Sequence, residues 1–145
     1  MRVFFFFAVG LIVALELTAP MQDAMAQHMN AAGAPCREPA STAETLRCFV
    51  NAAKQADEKL NKTLGEIETF FASQHRSHDQ EALRRAQSLW IRFRETNCGA
   101  ARDVYGNGTG GPVNYWACME SQTRQRASDL RTGYGSLLEK FGRQL

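Results

Sequence analysis

Apolar side chains recur at helical spacing along three stretches of this chain, and no stretch sustains a period-two alternation. In the first, Leu46, Ala53, Leu60 and Ile67 repeat every seven residues, and Phe49, Ala56, Leu64 and Phe71 fill the neighbouring stripe. Together they make one apolar helical face, which predicts a helix over about 42–73. Ser41-Thr42-Ala43-Glu44 marks its start, with Pro39 just upstream. The S-x-x-E spacing lets a hydroxyl and a carboxylate satisfy backbone N–H groups that the first helical turn leaves unpaired. Gly65 weakens the helix interior by about 1 kcal/mol relative to Ala.

A short polar connection, 73–78, leads to a second helix over about 79–105. Leu83, Trp90 and Val104 lie on one of its stripes, with Ala86, Phe93 and Ala101 beside them. Tyr105-Gly106-Asn107-Gly108-Thr109-Gly110-Gly111-Pro112 is the clearest break, with four glycines in eight residues and a final proline. Pro112 suits the first turn of a following helix, where no amide hydrogen is needed. That third helix is predicted over about 113–141, with Tyr115 or Trp116, Met119, Thr123, Leu130, Tyr134, Leu137 and Phe141 inward. Gly133 and Gly135 weaken its last third. Short connections make sequential helices antiparallel. The expected fold is therefore all-α: a three-helix antiparallel up-down-up bundle.

The N-terminus indicates where the domain works. Met1-Arg2 is a minimal positive start, Val3 to Leu15 is an apolar run of 13 residues, and Ala24-Met25-Ala26 is a small-x-small cleavage pattern. These are the marks of a secretory signal peptide, and the run is too short to span a bilayer. The chain of 145 residues thus divides into a signal peptide, 1–26, an irregular Pro-broken arm, 27–40, and a helical domain, 41–145. Cleavage leaves 119 residues with 16 basic and 13 acidic side chains, a net +3. So weak a positive charge, together with export, argues against a nucleic-acid partner. Cys36 stands ten residues past Ala26, so no cysteine sits where a lipid would be attached. No membrane anchor is expected after cleavage. The expected location is the periplasm, with full secretion as the alternative.

All four cysteines, Cys36, Cys48, Cys98 and Cys118, follow the signal. An even number in a small exported chain reads as two disulfides, and the absence of any C-x-x-C pair argues against a metal site. At about 1.5 Å per residue, Cys98 lies roughly 10 Å before the Gly-rich turn and Cys118 a similar depth after it. Across an antiparallel hairpin they face each other, and the arm can fold back to bring Cys36 to Cys48. The expected pairs are Cys36–Cys48 and Cys98–Cys118. They close loops of 13 and 21 residues, each worth about 3 kcal/mol in the chain-entropy description.

A series of positions carries a family resemblance. Asp57, Leu60 and Asn61 form a D-x-x-L-N group; Ala86-Gln87, Trp90-Ile91, Phe93-Arg94 and Cys98 follow at fixed spacing; Tyr105, Gly108 and Thr109 mark the turn; and Cys118, Thr123, Arg126 and Leu130 complete the order. The set resembles the lysozyme-inhibitor LprI-like family of exported bacterial proteins. The resemblance implies a small disulfide-bonded helical domain whose partner is lysozyme or a related peptidoglycan hydrolase. The chain departs from that pattern in lacking an acylated cysteine and in the extra glycines Gly110-Gly111.

Two readings stand for the polar residues Asp57, Asn61, Gln87, Arg94, Thr123 and Arg126, with Trp90 among them. They form a structural network that fixes helix register, with Trp90 packed on the Arg94 guanidinium. Alternatively, Arg94 and Arg126 are exposed beside a groove and recognise carboxylates. The turn also has two readings. It is a helix-hairpin loop, or it is a narrow protrusion that enters an enzyme cleft, with Asn107, Gly108 and Thr109 at its tip and Tyr105, Tyr115 and Trp116 as flanking aromatics. Catalysis is not expected. His28, His75 and His78 do not assemble a nucleophilic triad, and no phosphate loop, metal pattern or cofactor motif is present. The expected function is inhibition of lysozyme or a related peptidoglycan hydrolase. The alternative is a non-inhibitory envelope-binding module or a structural periplasmic protein.

Overall fold

The computed structural model describes residues 33–37 and 40–141; the expected signal peptide lies outside them. Three helices follow in order: α1, Thr42–Ser73; α2, Ser77–Asp103; and α3, Gly110–Phe141. The described residues contain no strand. The start of α1 is set by the expected cap. Ser41 Oγ accepts the Glu44 N–H at 3.2 Å, and the Glu44 carboxylate reaches back to accept the Ala40 N–H at 3.0 Å. The α1–α2 connection is tight: the N–H groups of Gln74 and Arg76 donate to the carbonyls of Phe70 and Phe71. His75 completes it in the left-handed region, at φ 55°.

The helices run up, down and up, but they do not share the core equally. α3 is the central element. α1 and α2 both lie along it and scarcely touch each other. Four consecutive residues of α3, Ala117, Cys118, Met119 and Glu120, are buried. A helix packed on one side cannot bury four residues in a row, because they point in every direction around its axis. Each of the other two helices buries a stripe. On α1 that stripe includes Phe49, Ala53, Ala56, Leu60, Ile67 and Phe71, as the sequence pattern predicts.

On α2 the expected inner stripe is corrected. Leu83 is buried and Trp90 half-buried, but Val104 is 60% exposed, Phe93 is 56% exposed, and Ala86 faces solvent. The buried face is instead centred on Arg94 and Cys98. At 100° per residue, Phe93 stands about 140° around the helix from Cys98, outside any face that includes it.

Both expected disulfides are present, Cys36–Cys48 with a Cα–Cα distance of 6.0 Å and Cys98–Cys118 with 5.5 Å. They lie at the same end of the bundle, where α1 begins and α2 turns into α3. Cys36 packs with Phe49, Val113 and Ala117, and Cys98–Cys118 with Ala53 and Met119; Trp116 lies against both groups. The opposite end has no disulfide among the described residues and is held mainly by packing. There Leu60, Ile67, Phe70, Phe71, Leu83, Ala127 and Leu130 form the main apolar core, and the Tyr134 ring meets Phe71 edge-on at 5.8 Å.

Candidate functional site

The Gly-rich turn is wound more tightly than its composition alone requires. Successive backbone bonds run from Tyr105 N–H to the Arg102 carbonyl, from Gly106 to Asp103, from Gly108 to Tyr105 and from Gly111 to Gly108, all at 3.0–3.2 Å. Gly106 takes φ +53°, which L side chains rarely adopt. The Tyr105 ring lies across Gly110 so closely that a Cβ there would stand 3.0 Å from ring carbon Cδ1. α3 therefore begins at Gly110, three residues before the expected position. Its first turn contains Pro112, and the buried Asn114 donates to the Gly110 carbonyl at 3.0 Å.

This winding leaves residues 104–109 on the surface. Val104 is 60% and Tyr105 39% exposed, and Asn107, Gly108 and Thr109 are exposed at the tip. Tyr115 and Trp116 are half-buried beneath them, edge to face with ring centroids 5.3 Å apart. The exposed surface continues along α2. Ala86, Leu89, Phe93, Ala100 and Val104 all face solvent and follow one another at three, four or seven residues. They make an apolar stripe about five turns long that runs into the turn. Helical periodicity alone puts Ala86, Phe93 and Val104 on an inner stripe. Taking the phase of α2 from Cys98, which a disulfide must hold inward, turns them out.

The polar residues converge elsewhere, in the middle of the bundle. Arg94 Nη1 donates to Asp57 Oδ1 and to Thr123 Oγ1, both at 2.6 Å. Its guanidinium lies 4.9 Å from the Trp90 ring centroid, and that of Arg126 lies 5.9 Å away. Arg126 Nε in turn donates to Gln87 Oε1 at 3.2 Å. One contiguous set thus joins all three helices through Asp57, Gln87, Trp90, Arg94, Thr123 and Arg126. Asn61 is not part of it and is exposed. It follows Asp57 by four residues, hence about 40° further around α1. Asp57 is already at the rim, so Asn61 falls outside it. Arg94 is only 8% exposed, so it is not presented to a partner's carboxylate. Three further polar residues, Thr63, Asn114 and Glu120, are buried at positions that no apolar stripe marks.

Comparison with known proteins places the chain. It is 28% identical over 110 residues to an uncharacterized protein of Rhizobium meliloti (strain 1021), an alignment covering 66% of this chain and 76% of the relative. No solved structure matches it. The family model "Lysozyme inhibitor LprI" matches residues 36–130, from the first cysteine, in the arm, to Leu130 of α3. Both disulfides, the central polar network and the Gly-rich turn lie within that span, and the chain belongs to the lysozyme inhibitor LprI family.

Proposed function

We propose that this protein is an exported, periplasmic inhibitor of lysozyme or a related peptidoglycan hydrolase, and that the Gly-rich turn is the part that enters the target. The exposed apolar surface at the turn carries the reading. Val104 and Tyr105 are presented to solvent beside a small-residue tip, on a scaffold fixed by a disulfide two turns away. A pre-formed loop loses little conformational freedom on binding. A glycosidase keeps its two catalytic carboxylates a few ångströms apart in a cleft. In this reading Asn107, Gly108 and Thr109 enter that cleft, Tyr105 anchors against its wall, and Tyr115 and Trp116 support the turn from below. The two disulfides and the family favour export. Among the described residues no helix is long and apolar enough to cross a membrane. The activity is binding, not catalysis.

The test is peptidoglycan lysis by a panel of animal and bacterial hydrolases, with and without the oxidised protein. Stoichiometric inhibition of one enzyme class that is lost in Tyr105→Ala supports the reading. Lysis unaffected across the panel by a folded, disulfide-bonded sample overturns it. A second reading, a binding module for an envelope protein without inhibition, draws on the α2 stripe. It predicts that Phe93→Ser abolishes capture of an envelope partner while lysis is never inhibited.

A further inference from the structure

On the side of α3 turned away from α2, a cleft of about 480 Å³ lies between α1 and α3. No residue of α2 or of the turn lines it. Gly33 and Pro35 of the arm border it, and the arm is tied down beside them by Cys36–Cys48. Its apolar lining comes from the small side chains Ala52, Ala56 and Ala127.

The charges around it are unequal. Lys59, Arg124 and Arg131 line the cleft against a single carboxylate, Glu120. Glu120 is 4% exposed, and its Oε1 accepts from Arg124 Nε at 2.8 Å. Lys59 and Arg131 have no carboxylate partner among the described residues. No Asp or Glu stands three or four positions from either in sequence, so no partner is supplied along their own helices. Two uncompensated cations in a concave site concentrate positive potential there. Meanwhile Glu120 Oε2 is fully buried with no hydrogen bond among the described residues. Buried polar atoms are nearly always paired, and an exception beside a cleft calls for a donor.

We propose that this cleft binds a small ligand that carries a carboxylate beside an amine or amide N–H, of the acidic amino-acid or short acidic-peptide class. The carboxylates lie against Lys59 and Arg131. A bare anion meets Glu120 as a like charge. A ligand with its own N–H turns that repulsion into attraction and would bring a donor to the Glu120 carboxylate on displacing the 41% exposed Arg124 side chain. The volume suits a dipeptide rather than a folded partner. This site is separate from the turn and does not depend on inhibition.

The experiment is calorimetric titration of the oxidised protein with L-alanyl-L-glutamate, with L-glutamate, succinate and inorganic phosphate as parallel probes. Saturable binding of the dipeptide, with succinate and phosphate weaker, is expected. The combined Lys59→Gln, Arg131→Gln variant should lose about tenfold or more in affinity, the scale of lost charge-assisted hydrogen bonds. Both side chains are exposed, so its unfolding midpoint serves as the folding control. Cys36→Ser with Cys48→Ser, which frees the arm, should weaken binding while helix content persists. A stronger response to the dipeptide than to glutamate, or the reverse, supports the site and tells peptide from free amino acid. No binding by any probe, unchanged affinity in the double variant, or phosphate and succinate binding as well as the dipeptide overturns the proposal.

Discussion

Arg94 Nη1 lies 2.6 Å from Asp57 Oδ1, and this contact ties α2 to α1 where the two helices otherwise scarcely meet. The partners are unequally placed: the Arg94 side chain is 10% exposed and that of Asp57 44%. Removing Asp57 strands a buried cation, whereas removing the cation lets Asp57 turn to water. Asp57→Ala should therefore cost about 2–3 kcal/mol, and Arg94→Met, which keeps the volume, less than about 1 kcal/mol. Thr123 adapts to the loss by donating to its own helix backbone. Urea denaturation of the two variants checks the order. The reverse order would mean that the network is held by its cation and not by its carboxylate.

Two backbone positions carry the wrong residue for stability. Gly65 sits in the interior of α1, and a Cβ there would meet nothing within 4 Å. Gly65→Ala should stabilise by about 0.5–1 kcal/mol through the unfolded chain. His75 is left-handed at φ 55° and exposed. His75→Gly should recover about 1 kcal/mol of that strain. Thermal midpoints of the single and double variants test both, and the effects should add because the sites share no partner.

The Glu68–Arg84 pair should make stability depend on pH in the acid range. Arg84 Nε and Nη2 reach the two carboxylate oxygens of Glu68, each at 3.0 Å, bridging α1 and α2. The hydrogen bond from Arg84 holds the Glu68 carboxyl below its ordinary value of 4.5. A depressed carboxylate pKa contributes stability above 4.5, and the contribution fades as pH falls through the lower folded value. The pair is solvent-exposed and screened, so the contribution is small. Glu68→Gln should lower the midpoint slightly at pH 7 and flatten its decline below pH 4.5. A mutant whose acid limb matches that of the parent would place the sensitivity in other carboxylates.

The exposed stripe of α2 should be nearly silent in folding. Leu89→Ser and Phe93→Ser remove side chains that are 59% and 56% exposed, and stability should change by less than about 0.5 kcal/mol. Any loss of partner binding in these variants is then a surface effect. Equilibrium unfolding beside the hydrolase assay separates the two.

The parts legible in sequence are those that one helix decides alone. α1 packs mainly on α3, so its stripe, its cap and its ends follow from spacing and local hydrogen bonds, and the cysteine pairs follow from the hairpin and the folded-back arm. α2 has a second apolar stripe, and periodicity cannot tell which of two stripes faces inward. Cys98 resolves it, because a disulfide fixes the phase. α3 is buried on several sides, so its inward stripe, Thr123 included, accounts for only part of what it buries, and Asn114 and Glu120 look like surface residues until the partner helices are in place. The cleft beside Glu120 was hidden for the same reason. It is assembled from the arm, α1 and α3, none of which marks it alone.

Both disulfides and the turn occupy one end of the bundle, while the larger apolar core fills the other. Rigidity is therefore distributed by chemistry as well as by packing. In an oxidising compartment the turn end is the hard end. Under reducing conditions the same chain keeps its main core but loses the covalent ties around its presented surface. A reduced copy has no covalent tie at the end that carries the turn, so oxidation is expected to stiffen that end more than the other.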